Sequence, residues 1–230
     1  MSYEKQDLFH KQSMSEQLVD YIKTQILNGE LNPGDRVVET KLAKELNISQ
    51  TPVREALRQL QGEGIIMIVP NRGPLVCDLK IEDVFEIYSM RSVLEGLAIR
   101  LATQLATDEE IAELEHYYNE MKSKLTNEKI THLLKESFYI HDTIIRLSRH
   151  NRLMQMYKSI SFQIALVNRI LGTYSTKEKE VMEHWELIDA LKRRDPQYAE
   201  NTMRKHIYRS YCDFIEFQGQ SDFKNEDNWL

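Results

Sequence analysis

Over most of the chain, apolar positions recur at i, i+3, i+4 and i+7, the spacing of a helix with one buried face. Leu18, Val19, Ile22, Ile26 and Leu27 predict a first helix from Ser15 to Asn28, closed by Gly29 as a left-handed cap. "NPGD" at 32–35 is a turn, and Arg36 to Val38 reads as extended. A second helix is expected from Thr40 to Leu46, burying Leu42, Ala43 and Leu46, with Asn47 as its break. Ser49 can cap a third helix through its hydroxyl, and Pro52 lies in that helix's first turn, where its missing N–H costs nothing. Gly62 and Gly64 end it. The period then changes: "IIMIV" reads as a buried strand, "PNRG" as a turn and "PLVCDL" as a returning strand.

From Leu79 onwards the strand pattern is gone. Six helical segments are predicted: Ile81 to Ala106, Asp108 to Leu125, Ile130 to Ser148, a segment from an Asn151 cap to Leu171-Gly172, Thr176 to Lys192, and Pro196 to Phe217. Capping boxes at Thr107-x-x-Glu110 and Ser175-x-x-Glu178 would open the second and fifth. Residues 218–230 read as a fraying tail. The fold class is therefore mainly α. Residues 1–78 form a winged helix-turn-helix of three helices plus a β-hairpin, followed over 79–230 by an antiparallel six-helix bundle.

Composition narrows the setting without naming a function. Hydrophobic residues make up 41% and charged residues 29% of 230 positions, a globular profile. No apolar run reaches the ~20 residues of a membrane span, and "MSYEKQDLFHKQ" has no signal-peptide core, so a cytoplasmic protein with no membrane partner is expected. Cys77 and Cys212 are too far apart in sequence to suggest a disulfide framework. The net charge of -6 weighs against nucleic acid, because Lys and Arg supply most phosphate affinity. Positive charge is nevertheless concentrated locally. Residues 41–72 carry Lys41, Lys44, Arg54, Arg58 and Arg72 against Glu45, Glu55 and Glu63.

The third helix has two faces. Val53, Ala56, Leu57 and Leu60 make the buried stripe, and Gln50, Arg54, Arg58 and Gln61 make a separate exposed one. Arg matches guanine bidentately and Gln suits adenine, so the second stripe has the chemistry of a groove reader. Lys41 on the preceding helix and Arg72 at the hairpin tip would flank it. The alternative is a solvated face on which Glu55 pairs with a neighbouring cation.

In the bundle, His141, His184 and His206 each sit among apolar neighbours at helical spacing, on three different helices. Either each is a core histidine bonded to a neighbour, or the three converge on a divalent metal, for which neutral imidazole suits zinc, nickel, copper or iron.

"LNPGDRVVETKLAKELNISQTPVREALRQLQGEGIIMIVPNRGPLV" resembles the winged helix-turn-helix of the GntR family of bacterial transcription regulators. The PGD turn, E-x-x-LA-x-x-L, S-x-TPVREAL-x-x-L-x-x-EG and the closing RG occur in order. "DVFEIYSMRSVLEGLAIRLA" resembles the opening of the FCD domain of the FadR subfamily, so the resemblance spans nearly the whole chain. It implies DNA contacts from Gln50, Thr51, Arg54, Arg58, Lys41 and Arg72. Gln50 stands where the family often has Arg, so the family's usual half-site does not transfer.

The resemblance also implies metal ligands at His141, His184 and His206, with zinc first and nickel, manganese or iron as alternatives. The family's Asp four residues before the first histidine is Ser137 here, and Glu136 lies about 100° round the helix. Either three histidines hold the metal with open positions, or the site is weakened. Arg91 matches the Arg of the family's R-x-x-LE pattern, although Glu95 at i+4 could take it as an ion pair. Arg91, Ser137, Asn168 and Arg169 are the candidate effector contacts, with Arg100 a further cation. Tyr88, Tyr139, Met154, Met156, Tyr157 and Phe162 are expected in the core.

The reading is a ligand-responsive homodimeric repressor, not an enzyme. It would bind a double-stranded DNA operator and a small carboxylate effector held through the metal. The alternatives are a regulator that senses the metal itself, or a metal-dependent hydrolase, against which no general base is evident.

Overall fold

The computed structural model describes residues 12–171 and 175–219; the tail from residue 220 and the Gly172 end of the fourth bundle helix lie outside them. The chain divides into two compact units between Leu79 and Lys80.

The first unit comprises α1 (Met14–Asn28), α2 (Glu39–Glu45), α3 (Gln50–Gly62), β1 (Ile66–Val69) and β2 (Gly73–Val76). α1 opens on a capping box between Ser13 and Glu16 and closes on Gly29 at φ 79°. Asn32 and Asp35 bond across the Pro33-Gly34 turn, and Arg36 bridges back to Leu75. α3 packs on α1 and α2 through Val53, Ala56, Leu57 and Leu60, each 2% exposed or less. Ser49 does stand at the cap position of α3, but its hydroxyl accepts no capping bond. Leu46 is only half-buried because it caps α2 rather than lying within it.

β1 and β2 form an antiparallel pair in register Ile66↔Val76 to Val69↔Gly73. The turn between them needs left-handed backbone at Asn71 (φ 62°) and Gly73 (φ 80°). A Cβ on Gly73 would also stand 3.4 Å from Arg36 Nε. Gly73→Ala is expected to cost the first unit about 1–2 kcal/mol, from the left-handed backbone penalty, measurable as a lower denaturant midpoint with an unchanged slope.

The second unit consists of α4 (Ile81–Leu105), α5 (Asp108–Ser123), α6 (Leu134–Leu147), α7 (Asn151–Leu171), α8 (Lys177–Lys192) and α9 (Pro196–Phe217). α4 is the central helix, packed against α6, α7 and α9, while α5 lies on α8. Gly96 permits the closest approach, since a Cβ there would meet the Arg204 side chain of α9 at 3.2 Å. Thr107 and Glu110 form the expected capping box of α5.

Three helix starts differ from expectation. α6 begins at Leu134 rather than Ile130, after a 3-10 turn at Lys124–Thr126. α7 is opened by His150, whose Nδ1 accepts the Leu153 N–H at 3.2 Å, so Asn151 is already helical. α8 is capped by Thr176, which accepts the Lys179 N–H at 3.2 Å; Ser175 instead donates to Glu180 at 2.7 Å. Tyr88, Tyr157 and Phe162 are core, whereas Tyr139 and Met156 are exposed, their positions falling on the outer faces of α6 and α7.

Candidate nucleic-acid interface and candidate metal centre

On α3, Gln50, Thr51, Arg54, Arg58 and Gln61 are all exposed, on a face separate from the buried stripe. Arg54 is oriented rather than loose. Its Nε donates to Glu39 Oε2 of α2 at 2.7 Å and its Nη2 to Gln50 Oε1 at 3.0 Å. Glu39, not Glu55, is therefore the acid that engages the stripe. Arg54 is exposed, so its remaining guanidinium N–H groups stay accessible, and Gln50 keeps its amide donors free of this bond. Arg58 and Arg72 make no ion pair among the described residues, while Lys41 lies 3.8 Å from Glu45. Arg36, bridged to Leu75 of β2, lays its guanidinium beside Gly73; the sequence pattern places it only in an extended connector.

In the second unit α6, α8 and α9 bring His141, His184 and His206 together. All three are at most 3% exposed, and a nitrogen of each lies within 4.8 Å of the other two. The surroundings fix two of the rings. His184 Nδ1 donates to the Glu180 carbonyl at 2.7 Å, one helical turn back, which leaves Nε2 as a bare lone pair. His141 Nδ1 donates to the Glu95 carboxylate, leaving its Nε2 directed at His206 Nε2, 3.2 Å away. His184 Nε2 and His206 Nδ1 are buried without a hydrogen-bond partner among the described residues.

Electrostatics keep the His184 and His206 rings neutral. Burial, reinforced by His141, pushes the His184 pKa down to about 4. Burial and the two neighbouring rings hold His206 well below the ordinary range. Glu95 is fully buried on α4, yet Arg91 and His141 together outweigh the effect of burial and hold its pKa down to about 2. A buried carboxylate fixing a histidine tautomer while the opposite nitrogen faces a cluster of lone pairs is the arrangement around metal-ligating imidazole. The donor set thus fits a divalent transition metal: three buried imidazoles, two of them pre-oriented, with a buried orphan lone pair.

A cavity of about 370 Å³ opens beside the three rings, lined also by Arg91, Ser137 and Asn168. Arg91 is buried and donates to Glu95 Oε1 at 2.6 Å, so the ion-pair role is real even though the side chain faces the cavity. Asn168 accepts from the Tyr88 hydroxyl at 2.9 Å. Arg169, one residue on and so about 100° round α7, is exposed and takes no part in the lining. Arg100 is likewise elsewhere, held by Gln197 and Glu200 of α9. Glu136 cannot replace the missing Asp, because it is turned towards Lys124 at 2.6 Å. Ser137 donates instead to Glu180, whose carboxylate also takes the Ser175 hydroxyl. His184 and these hydroxyls together overcome burial and lower the Glu180 pKa.

Two family models match the chain: bacterial regulatory proteins of the gntR family over residues 14–76, and the FCD domain over residues 86–209. Among similar proteins, the Nta operon transcriptional regulator of Aminobacter aminovorans is 30% identical, the match covering 80% of this chain and 86% of that protein. The gluconate operon transcriptional repressor of Bacillus licheniformis is 26% identical over 91% of this chain and 84% of its own length. Among solved structures, E. coli McbR/YncC shares the fold with a TM-score of 0.73 at 22% identity, covering 90% of this chain and all of that one. No helix among the described residues is long and apolar enough to cross a membrane. With its winged unit and its helical second unit both covered by these matches, the chain belongs to the GntR family and is a DNA-binding transcription regulator with an FCD domain, not an enzyme.

Proposed function

We propose that this regulator is a homodimeric repressor, released from its operator by a small carboxylate that reaches a metal held by His141, His184 and His206. The observation that carries the ligand half is the buried, unpartnered His184 Nε2 facing two further imidazoles beside a cavity. The metal, with zinc first and nickel, manganese or iron as alternatives, would supply an open coordination position for a hard oxygen ligand. Arg91, Ser137 and Asn168 would shape the cavity around that ligand. Repression itself rests on the similar gluconate operon repressor.

On the DNA side, Gln50, Thr51, Arg54 and Arg58 would read or flank the major groove, with Lys41 and Arg72 on the backbone or an adjacent groove. The Arg54–Gln50 bond supports Gln50 acting as a donor, so acceptor-rich base edges are favoured opposite it.

Dimer formation is supported by α4, which leaves Met90, Val93 and Leu97 at 45%, 52% and 38% exposure, spaced i, i+3, i+7. Such a stripe suits a second copy of the chain, and two-fold symmetry would present two recognition helices to two half-sites. An effector acts by binding one dimer conformation more tightly; a few kcal/mol of difference suffices to switch occupancy. A metal-sensing regulator uses the same histidines and differs only in needing no carboxylate.

The test is selection from a randomised DNA pool, followed by a reporter placed behind the selected sequence. A palindromic site with half-sites one helical turn apart, and reporter repression by the intact protein, are expected. Failure to enrich any sequence, or activation of the reporter, would remove the repressor reading.

A further inference from the structure

We propose that Glu39, on the helix before the reading helix, is a specificity-determining residue: through Arg54 it fixes how the Gln50 amide is presented, and so whether a keto base or adenine is accepted opposite Gln50. The inference rests on the reading that α3 enters the major groove, and it names the residue that sets one position of the readout.

Three side chains from two helices form a chain of bonds. Glu39 is the first residue of α2, and Gln50 and Arg54 lie one turn apart on the exposed stripe of α3. Arg54 Nε donates to Glu39 Oε2 at 2.7 Å, and Arg54 Nη2 donates to Gln50 Oε1 at 3.0 Å. Chemistry forces the direction of both bonds. A guanidinium has donors and no acceptor, so the Gln50 atom that faces Arg54 has to be its carbonyl oxygen. An arginine at position 50 could not accept this bond, so the chain of three depends on glutamine there.

The Glu39 end holds the arrangement. A long arginine side chain on an exposed helical face has many rotamers to lose. With its Nε tied to a carboxylate of the neighbouring helix, the guanidinium is oriented before DNA arrives. The two side chains are 58% and 31% exposed, so their pairing contributes little to stability. What it supplies is orientation.

That orientation decides the base. Glutamine pairs adenine bidentately by accepting from N6 and donating to N7, which needs Oε1 and Nε2 together. With Oε1 turned to Arg54, Gln50 offers its Nε2 donors. These match the acceptors of guanine (N7 and O6) or thymine (O4) and oppose the N6 amino group of adenine. Without Glu39, Arg54 can swing away from Gln50, and the amide regains the adenine pattern.

The experiment is selection from a randomised DNA pool with full-length wild type, Glu39→Ala, Glu39→Gln, Gln50→Ala and Arg54→Ala, followed by anisotropy on the wild-type site with single base-pair changes. The base pair facing Gln50 is the one whose preference disappears in Gln50→Ala. There the wild type should favour guanine or thymine over adenine by at least about fivefold, the lower end for one bidentate contact. In Glu39→Ala that preference should fall to about twofold or less, or invert towards adenine. Glu39→Gln, which keeps an acceptor for Arg54 Nε, should retain the wild-type order. Adenine preferred by the wild type overturns the inference and leaves α3 as the reading helix. So does an unchanged order in Glu39→Ala, even with a lower unfolding midpoint, since an acid in the first turn also supports α2 itself. A shift in Glu39→Gln as large as in Glu39→Ala assigns the effect to charge rather than positioning and also overturns it. If Gln50→Ala and Arg54→Ala both select the wild-type sequence, the reading helix and the inference fall together.

Discussion

Replacing Arg54 with alanine is expected to weaken operator binding by two to four orders of magnitude while leaving the unfolding midpoint unchanged. A good bidentate contact to a base discriminates by roughly 1–3 kcal/mol. A dimer uses two such contacts, giving roughly 2–6 kcal/mol at about 1.4 kcal/mol per decade of affinity. The structure adds a second contribution. Arg54 is paired with the Glu39 carboxylate, so truncation would leave an unpaired negative charge on the proposed DNA face. The fold should survive, because Arg54 is exposed and the helix is held by Val53, Ala56, Leu57 and Leu60. Anisotropy on the selected operator, with Arg54→Ala, Glu39→Gln and the double variant, separates the contributions. If Glu39→Gln restores part of the lost affinity, electrostatic exposure is established; unchanged affinity in Arg54→Ala would remove α3 as the reading helix.

The second large effect is at the histidines. His206→Ala is expected to lower zinc affinity by at least about 100-fold, since even supporting residues beyond the ligands typically cost 10–100-fold when removed. Glu95→Gln should fall within that supporting range, because it disturbs the tautomer of His141 without deleting a ligand nitrogen. Both are read by competition with a chromogenic chelator. Unfolding midpoints in excess chelator show whether the variants keep the metal-free fold. A wild type that takes up no metal from zinc, nickel, manganese or iron would remove the metal centre.

Much of this was legible in the chain because it depends on local spacing. The buried and exposed stripes of α3 follow from a period of 3.6 residues, and the wing turn from Asn71-Arg72-Gly73. The convergence of His141, His184 and His206 was legible as three apolar helical contexts, although spacing alone left each ring a satisfied core histidine. What escaped depends on tertiary packing. Glu95 at i+4 from Arg91 reads as an intrahelical ion pair; only the placement of α4 against α6, α7 and α9 buries it and turns it onto His141. Glu180 carries no sequence signal linking it to Ser137, 43 positions away, yet their bond fills the place where an Asp was expected. Glu39 escaped for the same reason, being 15 positions from Arg54 across a helix-to-helix turn. The early start assigned to α6 has a simpler cause: Ile130 and Leu133 fit a helical period, but the chain leaves a 3-10 turn at Asn127, whose Oδ1 accepts the Lys129 N–H, and the helix begins only at Leu134.

The claim that joins the two units is that occupancy of the histidine-lined cavity governs binding of DNA by α3. Operator affinity of the wild type and of His206→Ala, on the same selected DNA with and without zinc and a panel of small carboxylates and amino acids, tests it most directly. The account predicts that one panel member plus zinc lowers wild-type affinity at least tenfold and leaves His206→Ala unmoved. An equal response in His206→Ala, or a wild type indifferent to zinc and to every panel member, would contradict it.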